Sequence, residues 1–157
     1  GMDTERIADA LPSHAAVAGL GYDVVDVDAF AAQLAEPGSR MRLLFSARER
    51  RQCAMRAQTK NDGEAVHYAA RWAGKEAVLK AWCDALGGRP APYTLDDYPW
   101  SRIEILNDAL GCPRIVLSPD VHERLVASLG ERDVMWHVSL SHDGPIAAAV
   151  VILAKDA

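Results

Sequence analysis

Residues 67–84 read HYAARWAGKEAVLKAWCD, and this stretch predicts one long helix around which the rest of the chain is organised. Strong helix formers dominate the stretch, no proline interrupts it, and it runs towards Gly87, a residue type common at helix ends. A spacing of four places His67, Arg71 and Lys75 in a basic stripe along one side. The remaining elements are therefore expected to pack against this helix.

Glu76 and Lys80 are neighbours on the predicted helix, and two interpretations of the pair stay open. A Glu placed four residues before a Lys is the favourable order for a solvated helical ion pair, which contributes about 0.2–0.5 kcal/mol. Gly74, in mid-helix, costs about 1 kcal/mol relative to Ala, which indicates close approach of a neighbouring backbone or of a ligand. The pair is therefore either a surface feature or part of a site.

The composition of the chain limits its functional class. With 157 residues, half of them apolar, the chain can bury a core, and one domain is expected over residues 15–157. Residues 1–14 are predicted to be a mobile segment in which Gly1 is a tag remnant. A formal charge of -5 argues against a nucleic-acid binder or a membrane-surface protein. Three distant cysteines and no apolar run of membrane length favour a cytoplasmic protein.

The coarse pattern of elements predicts an α+β fold, in which an antiparallel sheet packs against the long central helix and shorter helices. The connection over residues 87–100 is either a functional loop or a segment packed at a subunit contact. Strands and helices are predicted from periodicity and from turn or cap residues. They are a strand over 15–25 ending near Asp23, helices over 26–36 and after Ser46, a hairpin over 102–117, a helix after Ser118, and an antiparallel meander that closes with a hairpin over 134–153.

Four segments together resemble one known family, the 4′-phosphopantetheinyl transferases. RWAGKEAVLKAW (71–82) resembles the family's signature, in which an aromatic residue, a small pair, Lys-Glu, Ala and a second Lys follow in that order. The other three are GYDVVDVDAF (21–30), LFSARE (44–49) and HVSLSHDGPIAAAVVI (137–152). The short length and the Ser-Leu-Ser-His sequence resemble the holo-acyl-carrier-protein synthase branch. Gly74 departs from the family, which more often has Ala, Ser or Cys at that position.

The resemblance implies a reaction and a metal. The family moves 4′-phosphopantetheine from coenzyme A to a serine of an apo acyl carrier protein and releases adenosine 3′,5′-bisphosphate. Such a transfer needs a hard cation, here Mg²⁺, held by carboxylates and phosphate oxygens. Asp23 and Glu76 match the family's metal-ligand positions, and Glu49 is an additional candidate. From the residues alone, a helix N-cap is favoured over a ligand for Asp23, although Asp26 is equally suitable as the cap, and Glu49 belongs to a capping box with Ser46.

The resemblance also assigns residues to coenzyme A. Lys75 and Lys80 match the family's lysines, and Arg71 could hold the 3′-phosphate, although surface charge explains Arg71 equally well. His142 is expected to contact a phosphate first and to act as general base second, with Glu76 or a metal-bound water as alternatives. The turn expected beneath the adenine carries Asn107, Gly111, Pro113 and Arg114.

Two partners follow from the resemblance, an apo acyl carrier protein and further copies of this chain in a homotrimer with sites at subunit interfaces. The family's synthases often carry arginines on the helix after the metal Asp, whereas this helix offers Asp26, Asp28 and Glu36. Other residues are therefore expected to contact the carrier protein, namely Arg40, Arg42, Arg48, Arg51 and Trp72. The alternative function is a non-catalytic coenzyme A-binding interaction module of the same fold.

Overall fold

The computed structural model describes residues 15–156, so the predicted mobile segment over residues 1–14 lies outside the described residues. The predicted long helix is confirmed as α3, Glu64–Leu86, which ends at Gly87 in the left-handed conformation (φ 58°). The other elements are α1 (Val27–Ala35), α2 (Ala47–Lys60), α4 (Pro119–Leu129), β1 (Ala15–Asp26), β2 (Ile103–Asn107), β3 (Pro113–Leu117), β4 (Val134–Asp143) and β5 (Ile146–Asp156), with 3₁₀ turns at Met41–Leu44 and Trp100–Arg102.

The strands form two antiparallel sheets. The larger has the order β1-β5-β4, and the smaller is the β2-β3 hairpin. The last strand, β5, is therefore central, and the first strand pairs with it from Ala15 opposite Asp156 to Asp26 opposite Ile146. The prediction of a single meander formed by the second half of the chain is wrong. The apolar first strand, β1, pairs with β5 on the side away from β4, and β2 and β3 form a separate sheet. The α+β class itself is confirmed.

Strand β1 runs three residues beyond the predicted end at Asp23. Asp23 lies within the strand, opposite Ala149, and not at the junction with α1. Asp26 caps α1, because its side chain accepts a hydrogen bond from the Ala29 N–H at 3.0 Å. The capping interpretation therefore applies to Asp26, and Asp23 is left for another role.

Helix α3 crosses β1 at backbone contact distance, and small residues make this possible. A Cβ placed on Gly19 would lie 2.0 Å from the Ala81 carbonyl oxygen, and one placed on Gly21 would lie 1.9 Å from the Ala77 carbonyl oxygen. Any side chain at these glycines would force the helix away from the strand. This contact fixes the residues of α3 that lie beside Asp23.

The neighbours of Gly74 differ from those expected. A Cβ at Gly74 would lie 3.2 Å from the Ile105 side chain and 3.4 Å from the Leu140 side chain. Core side chains of two strands therefore approach Gly74, and the predicted approach of a backbone or a ligand is wrong. Within residues 15–156, no helix is both long and apolar enough to cross a membrane.

The connection over residues 87–100 packs on the C-terminal half of α3. Tyr93 contacts Trp82 with ring centroids 6.0 Å apart, and Tyr98 contacts Trp100 at 4.5 Å. Between this connection and α3 lies an apolar cavity of ≈ 170 Å³. These contacts continue the hydrophobic core beyond the end of the helix.

Candidate active site

A carboxylate pair lies where β1 meets α3. Asp23 points to the helix side of the sheet and is only 7% exposed. Lys80 donates hydrogen bonds from Nζ to Asp23 Oδ1 at 2.9 Å and to the Tyr22 carbonyl at 3.1 Å. The other oxygen, Asp23 Oδ2, is buried and has no hydrogen-bond partner among the described residues. Lys80 is thus paired with Asp23, a residue distant in sequence. Its hydrogen bonds are not those of the simple helical ion pair with Glu76.

Glu76 completes the pair, and its environment disfavours its charge. The pKa of Glu76 is raised to about 7, chiefly by burial and further by the neighbouring Asp23 carboxylate, while Lys80 and Trp72 offset part of the increase. Two carboxylates at such close range cannot both ionise freely at neutral pH. An unpartnered oxygen on one acid and a raised pKa on the other are the properties of a site that could hold a divalent cation.

The protein itself supplies few candidate metal ligands at this pair. Within residues 15–156, no group of three or more His, Cys, Asp or Glu side chains is placed to hold a metal ion. The pair Asp23 and Glu76 therefore offers two carboxylates. Mg²⁺ commonly binds through one or two carboxylates, with waters and substrate phosphates as its other ligands.

Lys75 is buried, which contradicts the prediction that it binds coenzyme A. Its side chain is fully buried, and Nζ donates to Glu49 Oε1 at 2.7 Å and to the carbonyls of Trp100 (2.7 Å) and Ile103 (2.6 Å). These three bonds use all the hydrogens of the ammonium group. Burial lowers the pKa of Lys75, and the Glu49 carboxylate opposes that shift. Lys75 therefore has no donor left for a phosphate.

Glu49 is likewise fully occupied. Its side chain is completely buried and accepts from the Ser46 and Ile105 N–H groups, both at 3.0 Å, as well as from Lys75. The predicted capping box is confirmed, since Ser46 also accepts from the Glu49 N–H at 3.1 Å. Because protein groups bond to both carboxylate oxygens, we correct the assignment of Glu49 as an additional metal ligand and give it a structural role.

A second cluster surrounds a cavity of ≈ 170 Å³ on another side of α3. Five residues that the resemblance assigned to coenzyme A line it, namely Arg71, Asn107, Gly111, Pro113 and His142. Arg56 and His67 also line it, although no motif of the sequence predicted a place for them at this site. Only the fold reveals them, because the α2 helix that carries Arg56 meets the β2-β3 turn through tertiary packing.

Arg71 is held at the back of this cavity. It is 2% exposed, donates from Nη1 to the His67 carbonyl at 3.2 Å, and donates from Nη2 to Asn107 Oδ1. Its Nε is buried and has no partner within the described part of the chain. Burial lowers the pKa of Arg71, because a charged guanidinium is costly away from water. The interpretation of Arg71 as surface charge is therefore wrong.

The turn between β2 and β3 forms one wall of the cavity. Gly111 has φ +84°, a conformation that favours glycine, and its carbonyl accepts from Asn107 Nδ2 at 3.0 Å. Arg114 follows on β3, where its exposed side chain donates to Asp108 Oδ2 at 3.2 Å. Arg114 does not line the cavity, because alternate residues of a strand point to opposite faces.

The two clusters lie on opposite faces of α3. A helix turns about 100° per residue, so Glu76 lies about 140° around the axis from Arg71, and Lys80 lies about 180° from it. In the sheet, β5 separates Asp23 on β1 from His142 on β4. The residues that the resemblance joined in one site are therefore brought together in two groups, the carboxylate pair and the basic cavity.

Comparisons with known proteins define the class. A family model of the 4′-phosphopantetheinyl transferase superfamily matches residues 19–151. The protein belongs to this superfamily, and the resemblance that the four segments predicted is confirmed.

Similar proteins within the superfamily share one name, holo-[acyl-carrier-protein] synthase. A holo-[acyl-carrier-protein] synthase of Bifidobacterium animalis subsp. lactis is 60% identical over 141 residues, which cover 86% of this chain and 96% of the relative. The synthase of Bifidobacterium adolescentis is 57% identical, with 86% and 97% covered. Among solved structures, the ACPS-CoA complex of Chronobacterium ammoniagenes matches with a TM-score of 0.78 and 36% identity, over 87% of this chain and 96% of that one. The prediction of an enzyme of the phosphopantetheinyl transferase class is confirmed.

Proposed function

We propose that this protein transfers 4′-phosphopantetheine from coenzyme A to a serine of an apo acyl carrier protein, in a magnesium-dependent reaction that releases adenosine 3′,5′-bisphosphate. The carboxylate pair of Asp23 and Glu76 carries the proposal, because it joins an unpartnered buried oxygen to an acid with a pKa of about 7. The names of the relatives support the donor and the acceptor.

Asp23 and Glu76 would hold the magnesium ion. When bound, the ion neutralises charge on the pyrophosphate of coenzyme A. Lys80 stands beside the pair with its side chain 53% exposed, and two of its three N–H groups are used by Tyr22 and Asp23. The third N–H can donate to a pyrophosphate oxygen, and the hydrogen bond to Asp23 raises the pKa of Lys80 and so keeps it charged.

The basic cavity is suited to the nucleotide end of coenzyme A. Arg71 and His142 supply donors for the 3′-phosphate, and the backbone of the Asn107 to Pro113 turn offers a wall for the adenine. The serine hydroxyl of the carrier protein has three candidate proton acceptors, namely Glu76, His142 and a metal-bound water. A kcat that falls strongly in His142→Gln selects His142, whereas a change in KM for coenzyme A alone assigns it to phosphate binding.

The two clusters can act as one site when two protomers meet. The outer face of β1 presents apolar side chains to solvent, with Val17 65%, Leu20 53%, Tyr22 56% and Val24 47% exposed. Such a face is suited to burial against further copies of the chain, and a homotrimer would place a carboxylate pair beside the basic cavity of a neighbouring protomer. The opposite-face arrangement on α3 supports this assembly.

Mixed oligomers test the shared site. Glu76→Gln and Arg71→Gln protomers, each inactive alone, should recover transfer when they are dissociated and reassembled together, because some interfaces then combine an intact pair with an intact cavity. Activity that stays at the sum of the two separate variants would contradict a shared site.

The carrier protein is expected beside the carboxylate pair. A groove of ≈ 450 Å³ lies between α1 and the Met41–Leu44 turn, with Phe30 and Trp72 in its lining. Arg42 flanks it, half exposed, with its guanidinium 5.6 Å from the Tyr68 ring centre. Arg48 is paired with Glu104, and Arg42 lies 4.0 Å from the Glu64 carboxylate, so of the predicted arginines Arg40 and Arg51 are better placed for an acidic partner. Their substitution should raise KM for carrier protein and leave coenzyme A binding unchanged.

Intact-mass spectrometry of an apo acyl carrier protein tests the proposal. With this protein, coenzyme A and magnesium, the carrier should gain one phosphopantetheine, and Glu76→Ala should prevent the gain. Fatty-acid, polyketide and peptide carriers should be compared, since the residues do not select among them. No gain with any carrier, while coenzyme A still binds, would favour the non-catalytic binding module. A cytoplasmic location, consistent with the three free cysteines, is part of the proposal.

A further inference from the structure

His67 is a buried polar residue whose ring is fixed by a carboxylate. It lies in the first turns of α3, is 4% exposed, and its Nε2 is 2.7 Å from Asp62 Oδ1. An ionised carboxylate only accepts hydrogen bonds, so Nε2 carries a hydrogen and donates it to Asp62. This bond sets the orientation of the ring, because it fixes one of the two ring nitrogens.

Two further contacts connect His67 to the basic cavity. Its ring centre is 6.3 Å from that of His142, with the planes at 80°, an edge-to-face arrangement. Its backbone carbonyl accepts from Arg71 Nη1 at 3.2 Å. A single residue thus contacts both of the side chains that we assign to phosphate binding, His142 through its ring and Arg71 through its backbone carbonyl.

Asp62 is itself held in place by the backbone. It lies in the short connection between α2 and α3, directly after Asn61, which has φ 53°. The Asp62 N–H donates to the Ala57 carbonyl at 3.1 Å, so the end of α2 determines where the carboxylate lies. The bond to His67 therefore transmits the position of α2 to the cavity.

We propose that Asp62 and His67 are positioning residues, which hold His142 and Arg71 in the geometry that binds the phosphate of coenzyme A. The inference rests on the proposed function, because it assigns a role within the same site. Packing alone would be met by an apolar ring at position 67, whereas a buried imidazole needs a partner, and Asp62 supplies it. Carboxylate–histidine pairs hold metal-binding histidines in a comparable way, and loss of the carboxylate there weakens binding or activity by about 10- to 100-fold.

Two variants test the proposal. Asp62→Ala removes the carboxylate, and His67→Phe keeps a planar ring against His142 but loses the hydrogen bond. We expect both to raise KM and the calorimetric Kd for coenzyme A by about tenfold, with a smaller change in kcat and none in KM for carrier protein. The matched controls are Asp96→Ala in the 87–100 connection and His122→Phe on α4, neither of which contacts the cavity.

A second measurement reads the position of His142 without turnover. In the free protein, Asp62→Ala should shift the ¹⁵N and ¹H resonances of the His142 ring, and it should weaken the nuclear Overhauser effects that we expect between the two imidazoles in the wild type. Asp62→Asn keeps an acceptor oxygen, so it should retain most of the wild-type affinity for coenzyme A. This comparison keeps the proposal testable if Asp62→Ala folds poorly.

The outcomes separate this inference from the function it rests on. Wild-type protein that fails to modify any carrier overturns the proposed function, whatever the variants do. Wild-type protein that transfers normally, together with Asp62→Ala and His67→Phe variants that lose only thermal stability and keep their coenzyme A affinity and His142 resonances, overturns the positioning role.

Discussion

Lys75 and Glu76 are consecutive residues of α3, yet their surroundings are opposite. Lys75 is fully buried with its three hydrogens on protein acceptors, and its partner Glu49 has both oxygens occupied. Glu76 faces Asp23, whose Oδ2 has no partner among residues 15–156, and the pKa of Glu76 is raised to about 7. The first pair is complete within the protein, whereas the second keeps an unpartnered oxygen that could bind a cation. The first therefore stabilises the fold, and the second is suited to function.

The largest effect should come from breaking the complete pair. Lys75→Met leaves Glu49 buried without its counter-ion, so we expect the free energy of unfolding to fall by about 3–5 kcal/mol in denaturant titration. Lys75→Met combined with Glu49→Gln should recover part of that loss, because no uncompensated charge remains. A single variant as stable as the wild type would show that the pair is not an essential structural contact.

Glu76→Gln should have the reverse profile. Removing one carboxylate relieves the repulsion with Asp23, so thermal stability without metal should be unchanged or higher. The transfer rate should fall by about 10²–10³-fold, as when a charge-stabilising group is lost at other active sites. Thermal unfolding and carrier-protein transfer assays would be run on the same preparation. If Glu76→Gln loses stability together with activity, Glu76 has a structural role like that of Lys75.

The pH dependence of stability sharpens the same contrast. The pKa of Glu76 is higher in the folded protein than in the unfolded chain. The contribution of Glu76 to the stability of the fold is therefore complete at a pH below the unfolded-state pKa, and it is lost as the pH rises through about 7. In a chelator, the melting temperature should therefore decrease between about pH 5.5 and about pH 8. Magnesium should stabilise the protein more at the higher pH, because the ion competes with a proton for Glu76. In Glu76→Gln, the melting temperature in chelator and the stabilisation by magnesium should both depend less on pH.

The smallest effect is expected at Gly74, one position before the pair. Ala in a helix interior is favoured over Gly by about 1 kcal/mol, but the new Cβ would lie 3.2 Å from Ile105 and must displace it slightly. The two effects oppose each other, so Gly74→Ala should change the free energy of unfolding by less than about 1 kcal/mol and should leave transfer unchanged. Gly21→Ala is the contrasting control, since its Cβ would lie 1.9 Å from a backbone oxygen. A large loss in Gly74→Ala would show that this contact is as rigid as the one at Gly21.

The sequence predicted the elements better than their environments. The long helix, the capping box of Ser46 and Glu49, and the hairpins follow from local spacing and turn residues, and the structure confirms them. Spacing predicts which residues share a helix face, but it does not predict which face is covered. The basic stripe of His67, Arg71 and Lys75 was predicted from this spacing, and its burial became apparent only in the structure.

The site was predictable to the extent that its motifs are local. Asp23 and Glu76 were matched by resemblance, and their proximity depends on Gly19 and Gly21, which let β1 approach α3. Arg56 was missed because its place in the basic cavity depends on the distant packing of α2 against the β2-β3 turn. The separation of the two clusters is different, because it follows from the helical spacing of Arg71, Glu76 and Lys80, whereas the resemblance assigned these residues to one site.

The magnesium dependence of carrier-protein modification tests the central claim most directly. We predict that intact-mass spectra of an apo acyl carrier protein, incubated with coenzyme A and this protein, gain one phosphopantetheine in magnesium and none in a chelator. Within the time in which the wild type modifies the carrier completely, Glu76→Gln should give at most about 1% of that gain in magnesium and none in a chelator, while it unfolds at the wild-type temperature or above. An equal gain in chelator, or an undiminished gain with Glu76→Gln, would contradict the assignment of the carboxylate pair as the metal-binding centre of the reaction.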